Sequence, residues 1–311
     1  LFTGFIEDWP PDWPLDGTAN ITLHCVDGFK LFNLNQLNTT LAQEYSGDAI
    51  NTMLTLIGWP AGDRAVSNGQ TLITGNVLTD TPVLQRLQDI ANTENGLVFV
   101  RGDGALVFQN RHYRLTTSAS VTSQATFGDS GVELPYVELK PSYDDNQIWN
   151  DVRVTAAGGT EQTASDSTSQ TAYGKRTLSK SGLIIADASG GGGSTPDEEA
   201  ANAAAWLLAI YKEPALRFTS LTIQGHAAPA TLWTQILNRT ISDRITVLKR
   251  PPGGGAAISQ ECFIESVEHQ IGSNIEDWRT TWQLSPTSSL TYWILDSATL
   301  SVLDSTTRLA Y

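Results

Sequence analysis

The residues able to do chemistry are few, and their spacing does not favour it. Four histidines, His24, His112, His226 and His269, lie far apart, and none belongs to an H-x-x-x-H or H-E-x-x-H pair. That spacing is what sets two imidazoles on one helix face around a zinc ion. His24 is followed by Cys25, but neighbours in a strand point to opposite faces and cannot share an ion. His112 sits in Arg111-His112-Tyr113-Arg114, His226 in a turn from Gly225 to Pro229, and His269 after Glu268 near a strand end. An ordinary polar or half-buried role is expected of each. The two cysteines, Cys25 and Cys262, form no C-x-x-C pair and carry no signature of a catalytic thiol, so free and mostly buried thiols are expected.

Other reaction types find little more. A serine hydrolase wants a G-x-S-x-G elbow, which is missing from the sequence. Glycoside hydrolysis needs two carboxyls about 5–9 Å apart across a cleft, and the 33 acidic residues leave that geometry open. Asp144-Asp145-Asn146 and Asp166 miss the spacing of a calcium-binding EF-hand loop and read as solvated turns. Gly253-Gly254-Gly255 has no following Lys-Ser/Thr, and Gly102 and Gly104 lack the strand-to-helix setting of a phosphate-cradling loop. Arg101-Gly102-Asp103 spells the integrin tripeptide, but a hairpin turn accounts for the same residues. Trp9, Trp13 and Trp59 offer rings that stack on sugars; each stands beside a proline, and packing is the expected role. The sequence therefore assigns no catalytic, cofactor-binding or metal-binding residue.

Composition bounds the rest. At 311 residues the chain exceeds a typical single domain, and about two compact units are expected. Apolar residues at 40% against 17% charged supply a globular core. The net charge of −14, with basic residues scattered, argues against adhesion to nucleic acid, while an acidic lining is compatible with a duplex sliding past. No run approaches the ~20 apolar residues of a membrane span. The nearest, Ala200 to Tyr211, is interrupted by Asn202 and reads as a buried helix. The chain opens inside what reads as a strand and has Met53 as its only methionine, so further residues are expected upstream.

These residues must be positioned by a mostly β framework. Leu1 to Glu7 and Ala19 to Val26 read as strands joined by a proline-stiffened loop, and two strands alone do not make a stable sheet. A helix follows through Ala49, Ile50, Met53, Leu54 and Ile57, stopped by Gly58 and Pro60. A second has Thr81 as cap, Pro82 at its first position and Asn95-Gly96 at its end. A hairpin pairs Leu97 to Val100 with Ala105 to Gln109. Seven short strands come next: Pro135 to Leu139, Trp149 to Thr155, Leu183 to Ile185, Arg217 to Ile223, Arg244 to Leu248, Cys262 to Val267 and Trp278 to Leu284. They suggest a barrel or sandwich. A helix over 196–212 interrupts them, opened by a Thr195/Glu198 capping box. Ala156 to Gln170 and the glycine-rich Ala188 to Ser194 are expected as exposed loops or arms.

Several segments, in order, resemble the baseplate-hub or tail-tip hub proteins of tailed phages, often labelled minor tail proteins. Phe2-Thr3-Gly4-Phe5-Ile6 and Thr22-Leu23-His24-Cys25-Val26-Asp27 resemble strands of that family's first barrel, and Leu84 to Phe108 its helix-hairpin module. Ile148-Trp149-Asn150-Asp151-Val152-Arg153-Val154 resembles its N-x-V-x-V strand, and Tyr173-Gly174-Lys175-Arg176 its Y-G-x-R signature. Ser242-Asp243-Arg244-Ile245-Thr246-Val247 resembles its G-D-R-V-T-V strand, with Ser242 where the pattern favours Gly. Trp278-Arg279-Thr280-Thr281-Trp282-Gln283-Leu284-Ser285-Pro286, then Trp293-Ile294-Leu295-Asp296, is similar to its ending and terminal extension.

The resemblance implies a mainly β, multi-domain chain with some α: part of a tube-like barrel over 1–40, an α+β helix-hairpin domain over 41–130, a second barrel over 131–286 with the helix inserted, and an extension over 287–311. It implies a structural virion protein at the distal end of the tail, not an enzyme and without cofactor. Three copies would join a sixfold tail tube above to a threefold tip or fibre below, with DNA passing the lumen unbound and no membrane insertion. A tail-associated cell-wall hydrolase and a carbohydrate-binding adhesin are the alternatives.

Overall fold

The computed structural model describes residues 2–17, 19–142, 147–191, 193–214 and 217–287, and the backbone alone of 291–292 and 307–308. The chain is mixed α and β, with more strand than helix. It forms two compact units that it visits alternately: Leu1–Arg111, Val154–Gln162 and Lys180–Ala203 make one, and His112–Arg153, Thr163–Ser179 and Ala204–Tyr311 the other.

The first unit contains, in chain order, α1 (Gly28–Leu34), β1 (Gln36–Leu41), α2 (Ser46–Leu56), β2 (Arg64–Val66), β3 (Asn76–Pro82), α3 (Val83–Glu94), β4 (Leu97–Val100) and β5 (Leu106–Gln109). The apolar spacing of α2 sends Ala49, Ile50, Met53 and Leu54 into the core, and Gly58, at φ 71°, turns the chain away. The start of α3 differs from expectation. Pro82 still pairs with Gln36 as the last residue of β3, so the strand runs straight into the helix and Thr81 does not cap it. Its end is as expected. Asn95 is left-handed at φ 54°, and the Gly96 N–H reaches back to the Ala91 carbonyl at 2.9 Å. The hairpin β4–β5 pairs Leu97 with Gln109 and Val100 with Leu106, and β5 also pairs in parallel with β2. Phe32, Ile50, Met53, Leu87, Ile90 and Phe108, all fully buried, form the centre of this core. Each such side chain contributes about 1.5–3 kcal/mol by burial.

The second unit carries β6 (Thr126–Phe127), β7 (Glu138–Ser142), α4 (Ser167–Tyr173), β8 (Arg217–Gln224), α6 (Pro229–Asn238), β9 (Arg244–Lys249), β10 (Ile258–Gln270) and β11 (Arg279–Pro286); α5 (Pro196–Tyr211) leads the chain into it. Six strands make a curled half-barrel sheet in the order β6-β9-β10-β11-β8-β7. All pairs are antiparallel except β6 with β9. Period-two patterning is visible in β11, where Thr280, Trp282 and Leu284 point inward. Trp282 meets Phe127 edge-on at 5.5 Å, and Leu232 and Ile236 of α6 complete the core. Leu134 bonds to Thr126 and Gly128 at one edge while Val137 bonds to Thr222 beside the other, so one short segment touches both ends of the sheet. The outer strand β7 is guarded by Pro141 and a register shift beside Lys140, features that discourage further pairing.

Five of the expected strands, those beginning near Pro135, Arg217, Arg244, Cys262 and Trp278, correspond to members of this sheet. The strand expected from Trp149 is Asp151–Ala156, in a separate three-stranded sheet with Gln162–Ser165 and Thr177–Leu183. The one expected over Leu183 to Ile185 is corrected, since that last strand ends at Leu183 and Ile185 makes only an isolated bridge to Ile73. The stretch from Ala156 to Gln170 is therefore corrected: it holds that third strand and the start of α4. Polar fastening replaces apolar burial there. Asp166 caps α4 by accepting from Ser169 N at 3.0 Å and binds Lys212 Nζ at 2.8 Å. The capping box of α5 forms as expected, with Glu198 N donating to Thr195 Oγ1 at 3.2 Å and Thr195 N to Glu198 Oε2 at 2.8 Å. The helix is only half buried, through Ala200, Ala203 and Ala204. Beyond Thr287 the expected extension, with Trp293 to Asp296, lies outside the described residues apart from two short paired backbones, Thr291–Tyr292 and Thr307–Arg308.

Candidate functional interface

The four histidines sit on separate elements. His24 Nδ1 contacts the Asp8 carboxylate across two exposed strands. His112 precedes a single helical turn, Tyr113–Thr116, and His226 lies in a short 3-10 turn. His269 Nδ1 lies 2.9 Å from Thr280 Oγ1 and accepts from Trp278 Nε1 at 3.3 Å, and burial lowers its pKa. Among the described residues no three His, Cys, Asp or Glu side chains converge as a metal site requires. Both thiols are free, but only Cys262 is buried, and burial pushes it up to about 12. Cys25 is exposed, because among the described residues nothing covers the strand that carries it.

Other singled-out residues are likewise occupied. Arg101 closes on Asp103 with Nη2–Oδ2 at 2.6 Å, so the two exposed ends of the tripeptide bind each other. Gly254 and Gly255 take positive φ in an exposed loop. Asp144-Asp145-Asn146 lies outside the described residues. Trp59 packs edge-on to Phe32 at 4.7 Å and donates to the Asp63 carbonyl at 2.9 Å, as packing demands. Trp9 and Trp13 do not pack: they are 61% and 77% exposed, and the expectation for them is corrected.

Motifs far apart in sequence meet in the second unit. Asn150, fully buried, accepts from Arg176 N at 2.8 Å and donates to the Gly174 carbonyl at 2.8 Å, so the N-x-V-x-V strand and the Y-G-x-R turn are tied by one amide. Asp151 takes Thr177 Oγ1 at 2.9 Å, Arg153 Nε at 3.0 Å and Lys175 Nζ at 3.2 Å. Ser242 holds φ 73°, the conformation for which glycine is favoured. Its hydroxyl accepts from Arg114 Nε at 2.9 Å and its carbonyl from Ser120 Oγ at 2.8 Å, bonds that offset the local strain. These residues hold the backbone, and their polar atoms are spent on one another.

What is left unoccupied is a surface. Phe5–Asp8 pairs with His24–Val26, and Pro11–Asp12 with Asn20–Ile21, and neither pair gains a third strand among the described residues. Phe5 and Ile6 are successive and both exposed, so both faces of the ribbon are apolar. Trp9, Trp13, Ile21 and Leu23 add to it, each more than half exposed. Contiguous apolar exposure of this kind is the character of surfaces that bind other chains. Between Phe2 and Asp27 the chain has five acidic residues and no Lys or Arg. The base is anchored where Thr3 N donates to the Gly102 carbonyl at 2.8 Å. A shallow concavity of about 400 Å³ opens beside it, lined by Glu7, Asp8, Trp9 and Pro10. The signal in sequence is the D-W-P-P-D-W-P run itself: it is the proline-stiffened loop expected there, but its tryptophans are exposed instead of packed.

No family model matches the chain, and no curated protein does. Solved structures do. The chain is similar to the tail protein from Neisseria meningitidis MC58, with a TM-score of 0.63 and 16% identity over 91% of this chain and 79% of that one. It is also similar to the 43 kDa tail protein of prophage MuSo2 from Shewanella oneidensis, with a TM-score of 0.58 and 14% identity over the same shares. At these identities the likeness establishes a shared fold.

Proposed function

We propose that this chain is a structural component of a phage tail, a hub at its distal end that works by assembling around the DNA path and turns over no substrate. The observation that carries this reading is the N-terminal ribbon, apolar on both faces and unpaired along its outer edges, which is a sheet fragment that a neighbouring chain would complete. The shared fold with two tail proteins and the half-barrel sheet support it. In this reading three copies form a closed ring, each giving two tube-like domains. The ring matches a sixfold tube above to a threefold tip or fibre below. The net charge of −14 suits a lumen that lets DNA pass without holding it. A reconstruction of intact tails at side-chain resolution tests this. Three copies on the axis, with Phe5–Asp8 inside an inter-subunit sheet, are expected; copies confined to side fibres, or a lone off-axis copy, contradict it.

One observation favours a second reading. Exposed Trp9 and Trp13 on a proline-stiffened arm, beside the carboxylates of Glu7 and Asp8, are suited to stacking on a sugar and hydrogen-bonding its hydroxyls. Glycan-array binding that disappears in a W9A/W13A variant would support an adhesin. Zymography on purified cell wall separates both readings from a hydrolase.

A further inference from the structure

Two anomalies of the first unit meet at one point. Lys180 carries its ammonium into a half-buried site where, among the described residues, no carboxylate pairs with it, and it donates a hydrogen bond to Asn95 Oδ1. Desolvation accordingly lowers its pKa to about 8, which leaves a substantial neutral fraction at mildly alkaline pH. On the same amide, Asn95 Nδ2 is buried and makes no hydrogen bond among the described residues. Turning the amide over does not help, because the lysine needs the oxygen. A buried amide nitrogen without a partner carries an uncompensated desolvation penalty, and a buried amine beside it lacks its counter-charge.

We propose that Lys180 and Asn95 are joined by an intramolecular isopeptide bond. The lone pair of neutral Lys180 Nζ attacks Asn95 Cγ. The tetrahedral carbon collapses by breaking its bond to Nδ2, which departs as ammonia carrying the proton given up by the attacking nitrogen. One amide is exchanged for another, and no oxidant or other co-reactant is consumed. Both anomalies vanish together: the orphan nitrogen leaves, and the amine becomes a neutral amide N–H.

The backbone nitrogen of Gly96 is the competing nucleophile, since an Asn-Gly pair closes to a succinimide with the same loss of ammonia. Here the Gly96 N–H is held by the Ala91 carbonyl at 2.9 Å, which leaves the lysine as the free attacker. The bond would close a loop over 85 positions of sequence and pin the strand Thr177–Leu183 to the end of α3. A cross-link of that span chiefly restricts the unfolded chain.

The test is the mass of the full chain, purified and then incubated at mildly alkaline pH, followed by tryptic mapping. The expected mass is lower than the sequence mass by one ammonia. The map should contain a branched peptide joining the Asn95 and Lys180 segments, with no cleavage after Lys180. A Lys180→Arg variant, which leaves the left-handed Asn95 cap untouched, should regain the full mass. A wild-type mass equal to that of the sequence overturns the proposal. So does an ammonia loss that persists in Lys180→Arg, which would place the reaction at Asn95-Gly96 alone.

Discussion

The guanidinium of Arg114 grips the carboxylate of Glu265 with two parallel bonds, Nη1–Oε1 at 2.8 Å and Nη2–Oε2 at 2.7 Å. Glu265 is the extra residue where β10 slips register against β11, between Ile264 and Ser266. Burial works to raise its pKa, but the Arg114 hydrogen bonds and charge outweigh that, and the net direction is down. Arg114 also lies over the Phe263 ring at 4.7 Å and donates to Ser242, so one side chain fixes a bulge and a left-handed turn.

Arg114→Ala should therefore leave a half-buried carboxylate unpaired and a left-handed serine unsupported. A loss of roughly 2–3 kcal/mol is expected from the urea midpoint, the scale of hydrogen bonds to charged groups. Arg114→Ala combined with Glu265→Gln should recover part of the loss, because the stranded charge is gone.

Trp282 is fully buried at the centre of the half-barrel and braces Phe127 on its short edge strand. Trp282→Ala is expected to cost about 3–5 kcal/mol. Trp282→Phe should lose clearly less, and circular dichroism melting of the two variants compares them.

His269 supplies the pH dependence. Its Nδ1 accepts the Trp278 N–H, so a proton there would set two donors against each other. With its folded pKa below the ordinary 6.5, the unfolded chain binds the proton more readily. This group's contribution is complete above 6.5 and declines as pH falls from 6.5 toward the lowered folded value. Unfolding midpoints at about pH 7.5 and about pH 5 should show that decline, and a His269→Gln variant should show less of it.

How much of this was legible in sequence depends on what drives each element. α2, the body and C-terminal end of α3, and the capping box of α5 were readable because apolar spacing and cap chemistry are local. α4 was not: Ser167–Tyr173 has almost no apolar stripe, and it stands on Asp166, Lys212 and Asn150, contacts between distant residues. α1 was missed because seven residues show little periodicity, although Asp27 caps it by accepting from Phe29 N at 2.9 Å. The alternation of the chain between two units has no local signature at all. The candidate surface was half legible: its strands and prolines were plain, but exposure of Trp9, Trp13 and Cys25 depends on what does not cover them.

Substituting Trp9 and Trp13 together by Ala should leave the melting temperature of the isolated chain nearly unchanged, since neither ring is buried. Self-association, followed by sedimentation velocity, should weaken by at least tenfold if the ribbon is the contact.

In the proposed function, copies of this chain work as a closed set around an axis. Counting copies in detached tails by quantitative mass spectrometry, with a tube protein as internal standard, measures this directly. Three copies per tail are predicted, and a single copy, or a chain absent from tails altogether, would contradict the account.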